Sequence, residues 1–365
     1  MNDEVCLVLS DEQKYWNCSH VFWEYYIKAI KKLKMKIVKL FLIVLVFASC
    51  KKQTEFIKTQ TIQSEVDNLK TKLEIEKFIQ KIDTNYKKYE LKSLQDFNRS
   101  HDGDSINKIL ANKLNVKTFY TKADFDNNGY TDLLAIGDNH TCYGEGEKSC
   151  SFSPIVVMNF GKNKTKIFNI DLEWGKSIVP KVEYIDSQPF LVVYKKKLVD
   201  WQKKSYSELR TVLTFKFGNF IEYNPNPKKN KITKIEFSTS GCFGTCPVYK
   251  LTLNKDSLSV FNARYYNFNE NENITYGKEE GTFSTKINKT EFDKLEEYLN
   301  YCDFENLNKE YYVMHTDDET GDLKITFNNG KVKTISDYGM VGTYSLKNLY
   351  EKLAKLRFSE KWKKN

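Results

Sequence analysis

Oxygen-bearing side chains recur at alternate positions through Asp124-Phe125-Asp126-Asn127-Asn128-Gly129-Tyr130-Thr131-Asp132, the spacing that a hard cation requires. Calcium takes about six to eight oxygens at a site. Asp124, Asp126, Asn128 and Asp132, with the carbonyl of Tyr130, supply most of them, and Gly129 stands where such a loop turns sharply. The twelfth position, where an EF-hand carries a bidentate glutamate, is Ala135, so an EF-hand is excluded. The same residues also form a plain Asn128-Gly129 hairpin turn whose acids are solvated or accept from nearby backbone NH groups. Calcium is the one cofactor this sequence suggests, and both readings of the loop are open.

A second chemistry lies in the cysteines. Gly241-Cys242-Phe243-Gly244-Thr245-Cys246-Pro247-Val248-Tyr249 spaces two thiols by three residues and leads into an apolar strand. Redox pairs of the thioredoxin kind sit at a helix N-terminus, which lowers the thiol pKa, and fit this segment poorly. Structural zinc needs about four ligands, and no second Cys/His pair accompanies these two. A disulfide needs Cα atoms within about 7 Å, which Gly241, Gly244 and Pro247 permit by allowing a tight loop. We therefore expect a structural Cys242–Cys246 disulfide, with Phe243 packing on the sheet. The alternative is a thiol-dependent redox or metal-assisted enzyme built on the same pair. Cys142 and Cys150 flank a polar, glycine-bearing loop and are expected to form a second disulfide. Cys302 is left over, as a buried residue at a helix end.

Other catalytic patterns are missing. The chain has no Gly-x-Ser-x-Gly elbow, phosphate loop or His-Glu-x-x-His segment, and only four histidines in all. Asp317, Asp318 and Glu319 read as a solvated charged loop. No catalytic residue is assigned. Formal net charge is +9, but the basic stretches Lys195–Lys197 and Lys228-Lys229 are short and acids are interleaved, so nucleic acid is not expected as a partner.

The Asp124–Asp132 loop resembles the Asp-rich loops of integrin-type β-propeller repeats, running into Leu133–Ile136. It occurs once, and a propeller would repeat it. Met35–Cys50, MKIVKLFLIVLVFASC, has lysines at 36 and 39, an apolar run and Ala48-Ser49-Cys50, which resembles the lipobox of bacterial lipoproteins. The run is shorter than the ~20 residues that span a bilayer. The resemblance implies a signal peptide over 35–49, lipidation of Cys50 and a tether over 50–65. Residues 1–34 are then upstream sequence ahead of Met35. Lys51 replaces the aspartate that typically retains lipoproteins in the inner membrane. Lys51-Lys52-Gln53 replaces the acidic run of surface-exported ones. Both point to the outer membrane, facing the periplasm. The expected partners are the membrane, through the lipid anchor, and an unknown envelope protein or glycan. An oxidising compartment also suits paired cysteines.

These residues must be positioned by an α+β architecture: N-terminal helices followed by an antiparallel β-rich domain, then a second α+β domain of antiparallel sheet with two helices. The first domain covers 66–223. A helical pattern runs from Ser64 to Tyr86, and a second helix covers Ser105–Leu114 with Ile106, Ile109, Leu110 and Leu114 on one face. Strands are predicted at Val116–Ala123, Thr131–Ile136, Ile155–Phe160, Lys166–Ile170, Phe190–Tyr194 and Leu209–Phe217. Residues 224–230, with two prolines in polar company, form a linker. The second domain, 231–365, holds strands at Ile232–Ser238, Val248–Leu253, Leu258–Tyr266 and Thr282–Ile287. A helix follows at Lys289–Tyr301, then a hairpin turning at Asn329-Gly330. Its closing helix is capped by Ser345, with Leu346, Leu349, Tyr350 and Leu353 facing inward.

Over Ile232–Trp362 the chain resembles the bacterial family called domain of unknown function 6438. The resemblance rests on Cys242-Phe243-Gly244-Thr245-Cys246-Pro247-Val248-Tyr249, Thr316-Asp317, Asp337-Tyr338-Gly339 and Trp362. Asp318-Glu319 stands where members often carry Leu-Pro. The family has no assigned activity, so the resemblance implies a domain boundary alone. The functional expectation is a non-catalytic binding or scaffolding lipoprotein. Cys50→Ser should leave the precursor uncleaved and unlabelled by radioactive palmitate; persistent labelling would remove the anchor.

Overall fold

In the computed structural model of the protein the described residues are 62–97, 102–140, 152–162, 164–172, 178–200, 205–267 and 280–365, with backbone alone for 102–104 and 197–200. The expected upstream segment, the expected signal peptide, Cys50, the start of the expected tether, Cys142 and Cys150 lie outside them.

Local chemistry begins the first helices. Thr71 and Glu74 form a reciprocal capping box: Glu74 N donates to Thr71 Oγ1 at 3.3 Å, and Thr71 N to Glu74 Oε2 at 2.9 Å. The cap breaks the expected continuous pattern into α1 (Glu65–Asn68) and α2 (Lys72–Ile82). Ile75, Phe78 and Ile79 are the buried face of α2. In α3 (Asp102–Lys113) the inward residues are Asn107, Leu110 and Ala111, whereas Ile109 is 58% exposed. The expected Ile106–Ile109 face is thus rotated, because small Ala111 takes the inward position beside Leu110.

Two antiparallel four-stranded sheets follow. β2 (Tyr120–Ala123), β3 (Asp132–Ala135), β5 (Ile155–Asn159) and β6 (Thr165–Asn169) form one, in that order. β10 (Asn219–Glu222), β9 (Ser205–Lys216), β8 (Gln188–Asp200) and β7 (Val179–Ile185) form the other. A short pair, β1 (Glu90–Leu91) and β4 (Gly137–Asp138), adds to them. β3 and β5 are buried along their whole length. One of their faces, with Leu133, Ala135, Ile155 and Val157, packs with Ile75 and Ile79 of α2. The other, with Leu134, Val156 and Met158, shares a core with Leu191, Leu213 and Phe220 of the second sheet. Phe168 bridges the layers, its ring 5.2 Å from Phe215 and 6.1 Å from Phe220. Continuous apolar runs suit strands covered on both sides. β1, β4, β7 and β10 are not among the strands expected from the sequence. Pro180 lies near the start of β7, which is tolerated because β7 is an edge strand.

The C-terminal half is an eight-stranded sheet. Its order is β15 (Glu310–Tyr312), β17 (Lys331–Tyr338), β16 (Thr320–Phe327), β11 (Ile232–Thr239), β12 (Val248–Asn254), β13 (Ser259–Tyr265), β14 (Gly281–Thr285) and β18 (Lys363–Lys364). All pairings are antiparallel except β15 with β17. One face carries α4 (Lys289–Tyr301) and α5 (Tyr344–Ser359): Phe237, Leu251, Leu323 and Ile325 share a core with Phe292, Leu299, Leu346, Leu349 and Leu353. Pairing of Phe327 with Lys331 leaves a three-residue turn, Asn328-Asn329-Gly330, all at positive φ. The predicted two-residue turn is lengthened because Asn328 is tied to the preceding segment, its Oδ1 accepting from Lys231 N at 2.8 Å. Among the described residues no helix is long and apolar enough to cross a membrane.

The N-cap of α5 is Thr343, whose hydroxyl accepts from Leu346 N at 3.0 Å. Ser345, the predicted cap, is instead held by Glu222 at the end of β10. That carboxylate accepts from Tyr344 N and Ser345 N, each at 2.8 Å, and from the Ser345 hydroxyl. Around it, Phe217 sits 5.1 Å from the Tyr298 ring and 5.6 Å from Tyr301, and Tyr344 donates to Ile170 O at 2.9 Å. Residues 224–230 contain no strand or helix, but Asn224 and Asn230 are bonded to Tyr301 and Asn300. Thr59–Asn365 is one compact unit. Glu222→Ala should cost about 2–3 kcal/mol in urea unfolding, the scale of hydrogen bonds to a charged group, and Glu222→Gln less. A loss near zero for the alanine variant would contradict this account of the junction.

Candidate functional site

The Asp124–Asp132 segment is the β2–β3 turn, with Ala123 paired to Asp132. Asn127 and Gly129 take positive φ, 57° and 87°. Asp124 closes the turn, accepting from Asn128 N at 3.0 Å and Gly129 N at 2.8 Å. Asp132 is fully buried and accepts from Phe125 N at 2.8 Å and Asn159 N at 2.7 Å. One oxygen of Asp126 takes a hydrogen bond from the Asn128 side-chain amide at 3.0 Å; the other is buried and has no hydrogen-bond partner among the described residues. Oxygens of Asp124, Asp126 and Asp132 converge within 4.8 Å of one another. Burial, with the charge of Asp124 added, pushes Asp126 up to about 6. Burial pushes Asp132 up to about 8.

Asn128 spends its amide inside the loop, accepting from Tyr130 N at 2.7 Å and donating to Asn159 O at 2.9 Å. The structure thus brings three of the predicted side-chain ligands together and gives the fourth, Asn128, a bracing role. Asn159, on β5, is the partner the sequence did not point to, because its contact is made between strands 27 residues apart.

The second candidate is the end of the large sheet where β11 leaves and β12 enters. Cys242 and Cys246 are bonded, with Cα atoms 5.7 Å apart. Phe243 does not pack on the sheet; it is 89% exposed. Its NH donates to Asp317 O at 3.0 Å, which turns the backbone of the ring toward the β15–β16 loop and leaves the side chain in solvent.

Two other segments that carry the resemblance, Thr316-Asp317 and Asp337-Tyr338-Gly339, gather here. Ser240 N donates to Thr320 O at 2.9 Å and Gly339 N to Glu319 O at 2.8 Å. Asp318 N donates to the Tyr338 hydroxyl at 3.2 Å. His315 Nε2 lies 2.5 Å from Asp318 Oδ2. Glu319 is raised by burial, an effect that Arg357 opposes.

Asp337 is fully buried at the end of β17 and accepts from Gly342 N at 2.9 Å; burial raises its pKa, and the buried Tyr350 hydroxyl faces it. Gly342 is required by this contact, since a Cβ would meet Tyr311 at 2.5 Å and Asp337 Oδ2 at 2.8 Å. Trp362 lies 5.6 Å from the Phe261 ring and donates to Leu356 O. Cys302 caps α4, its thiol pushed up to about 12 by burial, so it stays protonated at neutral pH.

A DUF6438 domain, a domain of unknown function, is found at residues 233–357. No curated protein and no solved structure matches the chain.

The two readings of the acidic turn separate in one experiment. A bound ion stabilises the folded state by about 2.7 kcal/mol at a hundred times its Kd. The convergence of three carboxylates, one with an unpartnered oxygen, predicts that calcium raises the melting temperature and that Asp126→Ala removes the rise. A melt indifferent to millimolar calcium and to chelator would return the segment to a plain turn.

Proposed function

We propose that this chain is a non-catalytic binding or scaffolding module, held at the outer membrane by a lipid on Cys50 and facing the periplasm. Its partner in this reading is an envelope protein or glycan. The observation that carries the proposal is Phe243, 89% exposed at the tip of a disulfide-closed ring. A covalent constraint that holds an aromatic side chain in water prepays the ordering cost of a contact. Large exposed apolar groups that cluster mark interaction sites. Calcium at the acidic turn would serve the fold, since that turn belongs to the other half of the molecule.

The alternative, a thiol-dependent redox or metal-assisted enzyme at Cys242/Cys246, is less well supported. Strand β12 follows the ring, so no helix N-terminus is present there to lower a thiol pKa. Peptide mapping without reduction should show a Cys242–Cys246 link with Cys302 free. The double serine variant should lose about 2 kcal/mol, as closure of so short a loop implies. Two alkylatable thiols at 242 and 246 in protein taken from the periplasm would favour the enzyme.

A further inference from the structure

Exposed apolar side chains form a row across one end of the eight-stranded sheet. Tyr312 pairs with Tyr338, Tyr338 with Thr320, and Val248 with Tyr265, while Ser240 N bonds Thr320 O. Along this line Phe243 is 89% exposed, Met314 81%, Tyr312 75% and Tyr265 61%. Val313, between Tyr312 and Met314, is buried, so the alternation of an extended segment turns its two neighbours outward. From β15 to β13 the row crosses five strand gaps, or about 24 Å. That is the length of about seven extended residues.

The β15–β16 loop at this end differs in charge from the chain, although Arg264, beside Tyr265, is exposed as well. The protein is net +9, yet the β15–β16 loop presents Asp317, Asp318 and Glu319 in succession. Arg357 offsets Glu319 and His315 lies against Asp318, which leaves Asp317 exposed and without an ion pair among the described residues. The lysines on the sheet's open face are engaged elsewhere: Lys234, Lys250 and Lys324 surround Glu236 at 3.1, 3.7 and 3.5 Å. The loop is also pre-set, since the disulfide ring, Ser240 and Tyr338 all bond to it.

We infer that this row receives an extended, cationic segment of a partner protein, with aromatic or aliphatic anchors packing on Phe243, Tyr312 and Met314 and lysine or arginine facing Asp317 and Asp318. The inference rests on the binding-module reading and specifies its ligand class as peptide, not glycan. Aromatic anchors in a rigid setting supply most of an interface's energy, and complementary rim charges set encounter rate and salt dependence.

The test selects from a displayed library of random twelve-residue peptides against the full chain carrying Cys50→Ser, and measures Kd for the enriched sequences. We expect lysine- or arginine-rich peptides with interspersed apolar residues. Binding should fall at least tenfold in Phe243→Ser and in Met314→Ser, and several-fold in Asp317→Asn/Asp318→Asn or at high salt. Tyr184→Ser, an exposed aromatic of the other half, should leave Kd unchanged. Each is a surface change, expected to keep stability within about 0.5 kcal/mol, and the melting temperature checks this. Neutral or acidic peptides whose binding still needs Phe243 would overturn the cationic assignment and leave the module reading standing. No enrichment, or binding indifferent to Phe243, would overturn both. Sedimentation showing self-association lost in Phe243→Ser would replace the peptide with a second copy.

Discussion

The carboxylate of Glu222 ties the molecule together. A helix begins with NH groups that have no partner within the helix, and at α5 the first two are satisfied from outside, by a side chain on the last strand of the preceding sheet. Negative charge at a helix N-terminus is also favoured by the helix dipole. α5 in turn covers the large sheet through Leu346, Leu349 and Leu353. The loop that leads into it, Gly339–Thr343, is the one Asp337 holds through Gly342. The geometry of the disulfide end therefore depends on a residue outside the matched domain.

Burial then decides what each acid can do. Glu222 is half-buried and fully paired, Asp132 is buried between two NH donors, and Asp337 is buried with one donor and a facing hydroxyl. Such groups fix backbone positions because moving them would leave an unsatisfied charge or donor in the interior. Asp317 is different: it lies in water, and its consequence is a surface potential.

Periodicity and turn chemistry made much of the fold legible. α4 begins and ends at the residues expected, and six strands of the large sheet lie within a few residues of those expected, while the short border strands β15 and β18 carry too few residues to show a period. What failed did so for tertiary reasons. Ser345 looked like a cap because its type suits one, but a carboxylate from another sheet had claimed it. Phe243 looked like core because it is apolar, but the hydrogen bond to Asp317 pointed it outward. Asn128 looked like a ligand by spacing, yet Tyr130 and Asn159 use its amide. β7 was hidden by Pro180, which only an edge position allows. Residue type and spacing carry local information, and each of these outcomes was set by a partner distant in sequence or by the strand's place in the sheet.

The two borders of the large sheet have a further meaning. β15 contributes three residues and β18 only two, so the strands at the two borders are themselves very short. A sheet bordered in this way offers little template for growth by strand addition, the route by which β proteins polymerise. At these two borders, crowded copies would thus meet through side chains more readily than by extending the large sheet from one copy into the next.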